Sequence, residues 1–168
     1  LVLANGSLTT TSGGENVIRK NIIEADLVEA IIALPKQLFT NVQVPACIWI
    51  LNKNKSQKGK TLFIDARKFG HMISRKQRAF SSEDVESLAD TFHSWRNEDG
   101  YEDIAGQYYS ATMEEIAKND YILTPGRYVG VAEEEDDGVP FADKMNALTS
   151  TLGEQLEDSA RLEEQIKK

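Results

Sequence analysis

Residues 28–34, VEAIIAL, and 46–51, ACIWIL, are apolar almost without interruption and are fenced by Pro35 and Pro45. Each is too short for a core helix, and valine and isoleucine favour the pleated backbone. Strands without polar alternation are buried on both faces, as in the middle of an α/β sheet. TLFIDAR (61–67) is a third strand candidate, and LVLANGSL opens with an apolar run stopped by Asn5-Gly6-Ser7. Between the first strand and VEAIIAL, Ser12 and Glu15 have capping-box spacing ahead of a helix with Val17, Ile18, Ile22 and Ala25 on one side. A strand, a helix and further buried strands predict an α/β fold.

The connection between the two apolar strands is not a tight hairpin turn. It is longer and carries Phe39 among polar amides, including Asn41 and Gln43. Such a connector is either a packed loop or a place that holds something.

The second half has a different texture. Ser81 with Asp84 predicts a helix start, followed at helical spacing by Val85, Leu88, Ala89, Phe92 and Trp95. Thr112 with Glu115 repeats the signal before Met113, Ile116 and Ala117. YILTPGRYVG is extended or turn-like, because Pro125-Gly126 cannot continue a helix. Glu133 to Asp137 is an acidic run that reads as a solvated linker. From Phe141 a long amphipathic helix carries Met145, Leu148, Leu152, Leu156, Leu162 and Ile166 as its ridge. A lone helix cannot bury its own stripe, so this one is expected to pair with a partner.

Composition narrows the function. The formal net charge of −8 argues against the whole chain attracting phosphate. Two local basic stretches run against that balance: Lys53, Lys55, Lys58 and Lys60, then Arg67, Lys68, Arg75, Lys76 and Arg78. They are either solvated loops or phosphate contacts. The one cysteine, Cys47, excludes an intrachain disulfide and a cysteine metal cluster, and reads as a buried, inert thiol. No apolar run approaches the ~18 residues that span a bilayer, so a soluble, cytoplasmic chain is expected. There is no P-loop, dinucleotide fingerprint, His-Glu-x-x-His or Gly-x-Ser-x-Gly. His71 and His93 lack a matching serine or metal-ligand spacing, and nothing singles out Asp65 and Asp84 as a carboxylate pair. Read by itself, the chain has no catalytic constellation.

Taken together, VLANGSL, GENVIRKNIIEADLVEAIIALPKQLFTNVQVPACIWILNKNK, TLFIDARKFG and SATMEEIAKNDYILTPGRYVG closely resemble the modification (M) subunit of type I restriction-modification systems. The resemblance covers Val2 to about Gly130. That subunit is an S-adenosylmethionine-dependent adenine-N6 DNA methyltransferase. The resemblance implies the last strands of a Rossmann-like class I methyltransferase sheet, with ACIWILN returning antiparallel between LVLA and VEAIIAL. A mostly helical carboxy-terminal region with a long terminal helix would follow. The implied divisions are residues 1–68, the carboxy-terminal part of the catalytic domain; 69–132, the helical region; and 133–168, an acidic linker and assembly helix.

The family's glycine-rich cofactor loop and Asn-Pro-Pro-Phe motif are absent from these residues, which implies a carboxy-terminal fragment, inactive alone. For site residues, the resemblance implies that Phe39 stacks on the extruded target adenine. Asn41 and Gln43 become possible base or loop contacts, and Lys53, Lys55, Lys58 and Lys60 possible DNA-backbone contacts. Met145, Leu148, Leu152 and Leu156 would form the assembly ridge. The implied partners are DNA and the specificity (S) and restriction (R) subunits, with S-adenosylmethionine as cofactor of the intact protein. The competing reading is a non-catalytic protein–protein interaction module.

Overall fold

The computed structural model describes residues 1–40, 44–131 and 140–167. They belong to two compact units, Leu1–Ala132 and Glu133–Lys168.

The first unit is built on a mixed sheet. Its strands are β1 (Val2–Ala4), β2 (Val28–Ala33), β3 (Ala46–Leu51), β4 (Lys60–Asp65) and β7 (Tyr108–Thr112), in the spatial order β1-β3-β2-β4-β7. Strand β3 is antiparallel to both β1 and β2, as expected, and β2 is parallel to β4. Strands β1, β2 and β4 therefore run in one direction. Their carboxy ends meet at one end of the sheet, where Ala4 faces Ala46 and Ala33 lies between Cys47 and Asp65.

Side-chain alternation divides the core between the two sheet faces. Ile31 and Phe63 join Leu8, Ile23, Ile116 and Leu123 on one face. Ile32, Leu62 and Ile64 join Leu34, Ala66 and Trp95 on the other. On the first face the Phe63 and Tyr128 rings stack with centroids 3.9 Å apart, and the Tyr128 hydroxyl donates to Ile122 O at 2.5 Å. That pairing draws the YILTPGRYVG segment, turned at Pro125–Arg127, onto the sheet.

Helix α1 (Glu15–Glu24) is rotated from its expected orientation. Val17 and Ile18 are exposed, Arg19 and Ile23 are buried, and Ala25 lies just past the helix. Its start also differs. Gly13 and Gly14 adopt φ of 63° and 81°, which glycine permits without a Cβ clash, so Gly14 becomes the N-cap and Ser12 makes no cap bond. Buried Arg19 donates to Tyr121 O, Ser7 O and Thr10 O at 2.8–3.3 Å, tying the loop after β1 to the distant 121 segment.

The other two capping signals are realised. Ser81 and Asp84 form a reciprocal box at the start of α2 (Ser82–Asn97), and Thr112 and Glu115 do so for α3 (Met113–Lys118). Helix α2 packs Leu88, Phe92 and Trp95 inward, while Val85 is exposed. Residues 69–132 are nonetheless not mostly helical. Besides these two helices they include a hairpin, β5 (His71–Ser74) with β6 (Gln77–Ala79), and strand β7, which extends the main sheet beyond β4. The aromatic pair Tyr108-Tyr109 before a capping threonine favours the pleated surface, and β4 offers an open edge to pair with.

In the second unit, α4 (Phe141–Ile166) is a long helix whose Met145, Leu148, Leu152, Leu156 and Leu162 are exposed. The acidic run 133–137 and the Ile166 side chain lie outside the described residues. Among the described residues no helix is long and apolar enough to cross a membrane.

Candidate functional site

Three loops leave the shared end of β1, β2 and β4. In α/β sheets this carboxy end is where ligands bind. The first loop begins at Asn5, whose Oδ1 is buried without a hydrogen-bond partner among the described residues. Sequence reasoning treated Asn5 only as a strand stop. The middle loop starts with buried Leu34 and Pro35 and carries Phe39. Here adjacent residues divide the work: Leu38 packs against the core, whereas Phe39 is 40% exposed. Gln37, with φ of 64°, turns the chain between them and Lys36. Asn41 and Gln43 lie outside the described residues.

The third loop follows β4. Asp65 and Arg67 form a forked ion pair, with Arg67 Nε donating to both carboxylate oxygens at 2.8 and 3.0 Å and Nη2 to one at 2.5 Å. The pair holds the Arg67 guanidinium pKa above its usual value, chiefly through these bonds. Gly126 lies against it, because a Cβ there would come 3.0 Å from Arg67 Nη2. Beyond the pair a cleft of about 530 Å³ is lined by Lys68, Phe69, His71, Asp84 and Gln107.

The lysine-rich loop is at the other end of the sheet. It joins the end of β3 to the start of β4, about 17–20 Å from the Phe39 loop given the strand rise per residue. Lys55 is corrected from backbone contact to structural residue. It is buried, with Nζ donating to Asp26 Oδ1 at 2.5 Å and to Lys60 O at 2.6 Å. Asp26 also accepts from Gly59 N, and Gln57 Nε2 donates to Trp95 O and Glu98 Oε1. Burial alone would raise the Asp26 pKa, but the Lys55 and Gly59 bonds and the charges of Lys55 and Lys58 hold it below the usual carboxylate range. Lys53, Lys58 and Lys60 remain exposed, though not beside Phe39.

The remaining chemistry is quiet. Cys47 is buried, and burial raises its thiol pKa against opposing hydrogen bonds from Ser7 and Trp49. His93 is an exposed helix residue edge-on to Phe92. Among the described residues no cluster could hold a metal ion. Among the described residues, the β4 carboxylate at this end of the sheet, Asp65, is clamped by Arg67.

The family model for N-6 DNA methylase matches residues 1–137. The chain belongs to that family. Its relatives include the HindI methylase subunit of a type I restriction enzyme of Haemophilus influenzae, 59% identical over the whole chain and 38% of the relative. Another is the MjaIX methylase subunit of Methanocaldococcus jannaschii, 43% identical over 99% of the chain and 30% of the relative. The chain thus spans well under half the length of these relatives. Among solved structures, the methyltransferase subunit of a type I system from Streptococcus thermophilus matches 77% of the chain and 26% of its own. Its TM-score is 0.68 and its identity 32%. The EcoKI M protein, at 13% identity, shares the fold with a TM-score of 0.60 over 91% of this chain and 38% of its own.

Proposed function

We propose that this chain works as part of an S-adenosylmethionine-dependent adenine-N6 DNA methyltransferase, the modification subunit of a type I restriction-modification complex. Residues 1–68 contribute the closing strands of a Rossmann-like catalytic sheet, with β7 from the 69–132 region added at its edge. Residues 133–168 provide an assembly element for the specificity subunit, in a cytoplasmic complex completed by the restriction subunit. Such an enzyme draws its methyl group from the cofactor. The residues present here hold the base and do not supply the cofactor cradle or the catalytic motif. As an isolated piece the chain is therefore inactive, an interaction module within the larger enzyme.

The observation that carries this reading is the division between Leu38 and Phe39. Leu38 packs against the core, so Phe39 is available to present its ring at the ligand end of the sheet. A base leaving the duplex loses its stacking neighbours, and an aromatic face returns about 1–3 kcal/mol per base. Asn41 and Gln43, in the same loop, are the candidates for hydrogen bonds to the base or loop.

Three variants of the full-length enzyme test the role. Phe39→Ala should slow methylation by roughly tenfold to a hundredfold if that energy is lost in the transition state. Phe39→Trp, which keeps a π face, should retain much of the activity, and Phe39→Leu should not. A loop residue that only packs gives the opposite order, with thermal stability falling in step with activity.

A further inference from the structure

We infer that the β5–β6 hairpin is a nucleic-acid grip, gripping the duplex beside the base held by Phe39. This rests on the methyltransferase reading above and names the protein element that meets the flanking phosphates. The lysine loop is at the wrong end of the sheet for that task. The hairpin leaves the end of β4, on the side where the Phe39 loop leaves β2.

Charge is the first support. From Ala66 to Ser82 the sequence has no acidic residue and five Arg or Lys, in a chain of net charge −8. Two of the five are already committed. Arg67 is neutralised by Asp65, and Arg78 Nη1 donates to Phe69 O and Gly70 O at 3.1 and 2.7 Å. The other three, Lys68, Arg75 and Lys76, are exposed, and among the described residues their side chains have no hydrogen-bond or ion-pair partner. Arg75 and Lys76 form the turn at the hairpin tip. Counterion release makes two such cations a sequence-independent phosphate grip.

Rigidity is the second. A lone two-stranded hairpin is marginal in water, so its base must be anchored. Phe69 and Phe80 wedge into the core on either side of it. Gly70, with φ of 77°, lets Ala79 O approach to 2.6 Å from where a Cβ would lie. Nothing comparable covers the outer strand, where Met72 and Ile73 are left exposed. A two-stranded ribbon fits the major groove, and exposed apolar side chains suit contact with base edges there.

The third support is a direct link to the base loop. The Arg78 backbone N–H donates to Gln37 O at 2.9 Å, two residues before Phe39. A hairpin seated on phosphates would therefore brace the loop that presents the ring.

The test uses the full-length protein assembled with its specificity subunit, with methylation read on genomic DNA and binding to a fluorescent duplex titrated between 50 and 200 mM salt. Arg75→Ala with Lys76→Ala should weaken binding and flatten the slope of log affinity against log salt by about 2. Over that fourfold salt range, the wild-type affinity should fall about tenfold more than the variant's. Lys118→Ala, an exposed cation on α3, should change neither quantity, and all three proteins should melt together. An unchanged slope in a variant whose wild type binds and methylates DNA overturns the hairpin assignment alone. A wild type that neither binds nor methylates DNA overturns the methyltransferase reading, and this inference with it.

Discussion

Replacing Asp26 by asparagine isolates the electrostatic role of the loop that looked like a DNA contact. Asn is close to isosteric and tolerates the left-handed backbone that Asp26 adopts, φ 55°, so the turn itself is preserved. What is lost is the negative charge facing Lys55, whose side chain is only 1% exposed. Removing one partner of a buried ion pair costs about 3–5 kcal/mol, because the other charge stays buried and unpaired. Asp26 itself is partly exposed and water reaches its carboxylate, which places the expected loss near the lower bound, about 3 kcal/mol. The carboxamide adds to it, since its NH2 must face either the ammonium or the Gly59 N–H, both donors. Lys55→Met leaves Asp26 with the Gly59 bond and solvent, and should cost less, about 2 kcal/mol. The double variant should be more stable than the sum of the two losses, the mark of direct coupling. Urea unfolding at pH 7 measures all three. The pH dependence has a definite sign. The folded-state pKa of Asp26 is lowered, so its contribution is complete above the unfolded value of about 4 and is lost as pH falls through the folded one. The gap between wild type and Asp26→Asn should therefore close on acidification. A loss under about 1 kcal/mol with no coupling would show that Lys55 is neither buried nor paired, and would restore it as a DNA contact.

Other expectations follow from exposed surfaces. Leu148→Asp with Leu152→Asp in the full-length protein should weaken co-purification with the specificity subunit while leaving S-adenosylmethionine binding intact. Normal assembly would assign the α4 ridge another role. The 168 residues by themselves should bind no S-adenosylmethionine in calorimetric titration, and micromolar affinity would overturn the proposal that the rest of the enzyme supplies the cofactor cradle. Among the described residues β1 has β3 on one side and no strand on the other, with Val2 exposed. Light scattering should therefore detect self-association of this chain, and Val2→Lys should suppress it.

Much of the sheet was legible because its signals are local. VEAIIAL and ACIWIL could be little other than buried strands, and the Ser81 and Thr112 caps each use two side chains three residues apart. The errors came where a single residue type had two physical outcomes. Gly13-Gly14 moved the start of α1, and Arg19, bonded to three backbone carbonyls, takes the buried side while Val17 and Ile18 face outward. Lysines in a polar loop read as solvated or phosphate-binding, yet Lys55 is buried, because its partner Asp26 is distant in sequence. Strand β7 depends on an edge that only the assembled sheet offers. Pattern alone placed Phe39 in a connector. The family resemblance implies a role for it, and in the structure Leu38 packs against the core while Phe39 is 40% exposed.

The position of β3 between β1 and β2 also sets a schedule for synthesis. Val2 and Leu3 pair with Ile48 and Cys47, and Trp49 N donates to Leu1 O. The β1 strand leaves the ribosome some forty-five residues before the strand it must pair with. At about 5–20 residues per second, roughly 2–9 s pass before β3, its partner in this sheet, is synthesised. Its final docking onto β3 must also follow the β2–β3 pairing if the sheet grows outward from its centre, because only then is an ordered edge on offer. The β1–β3 ladder thus closes a loop of more than forty residues, a non-local contact that forms later than the local caps of the helices.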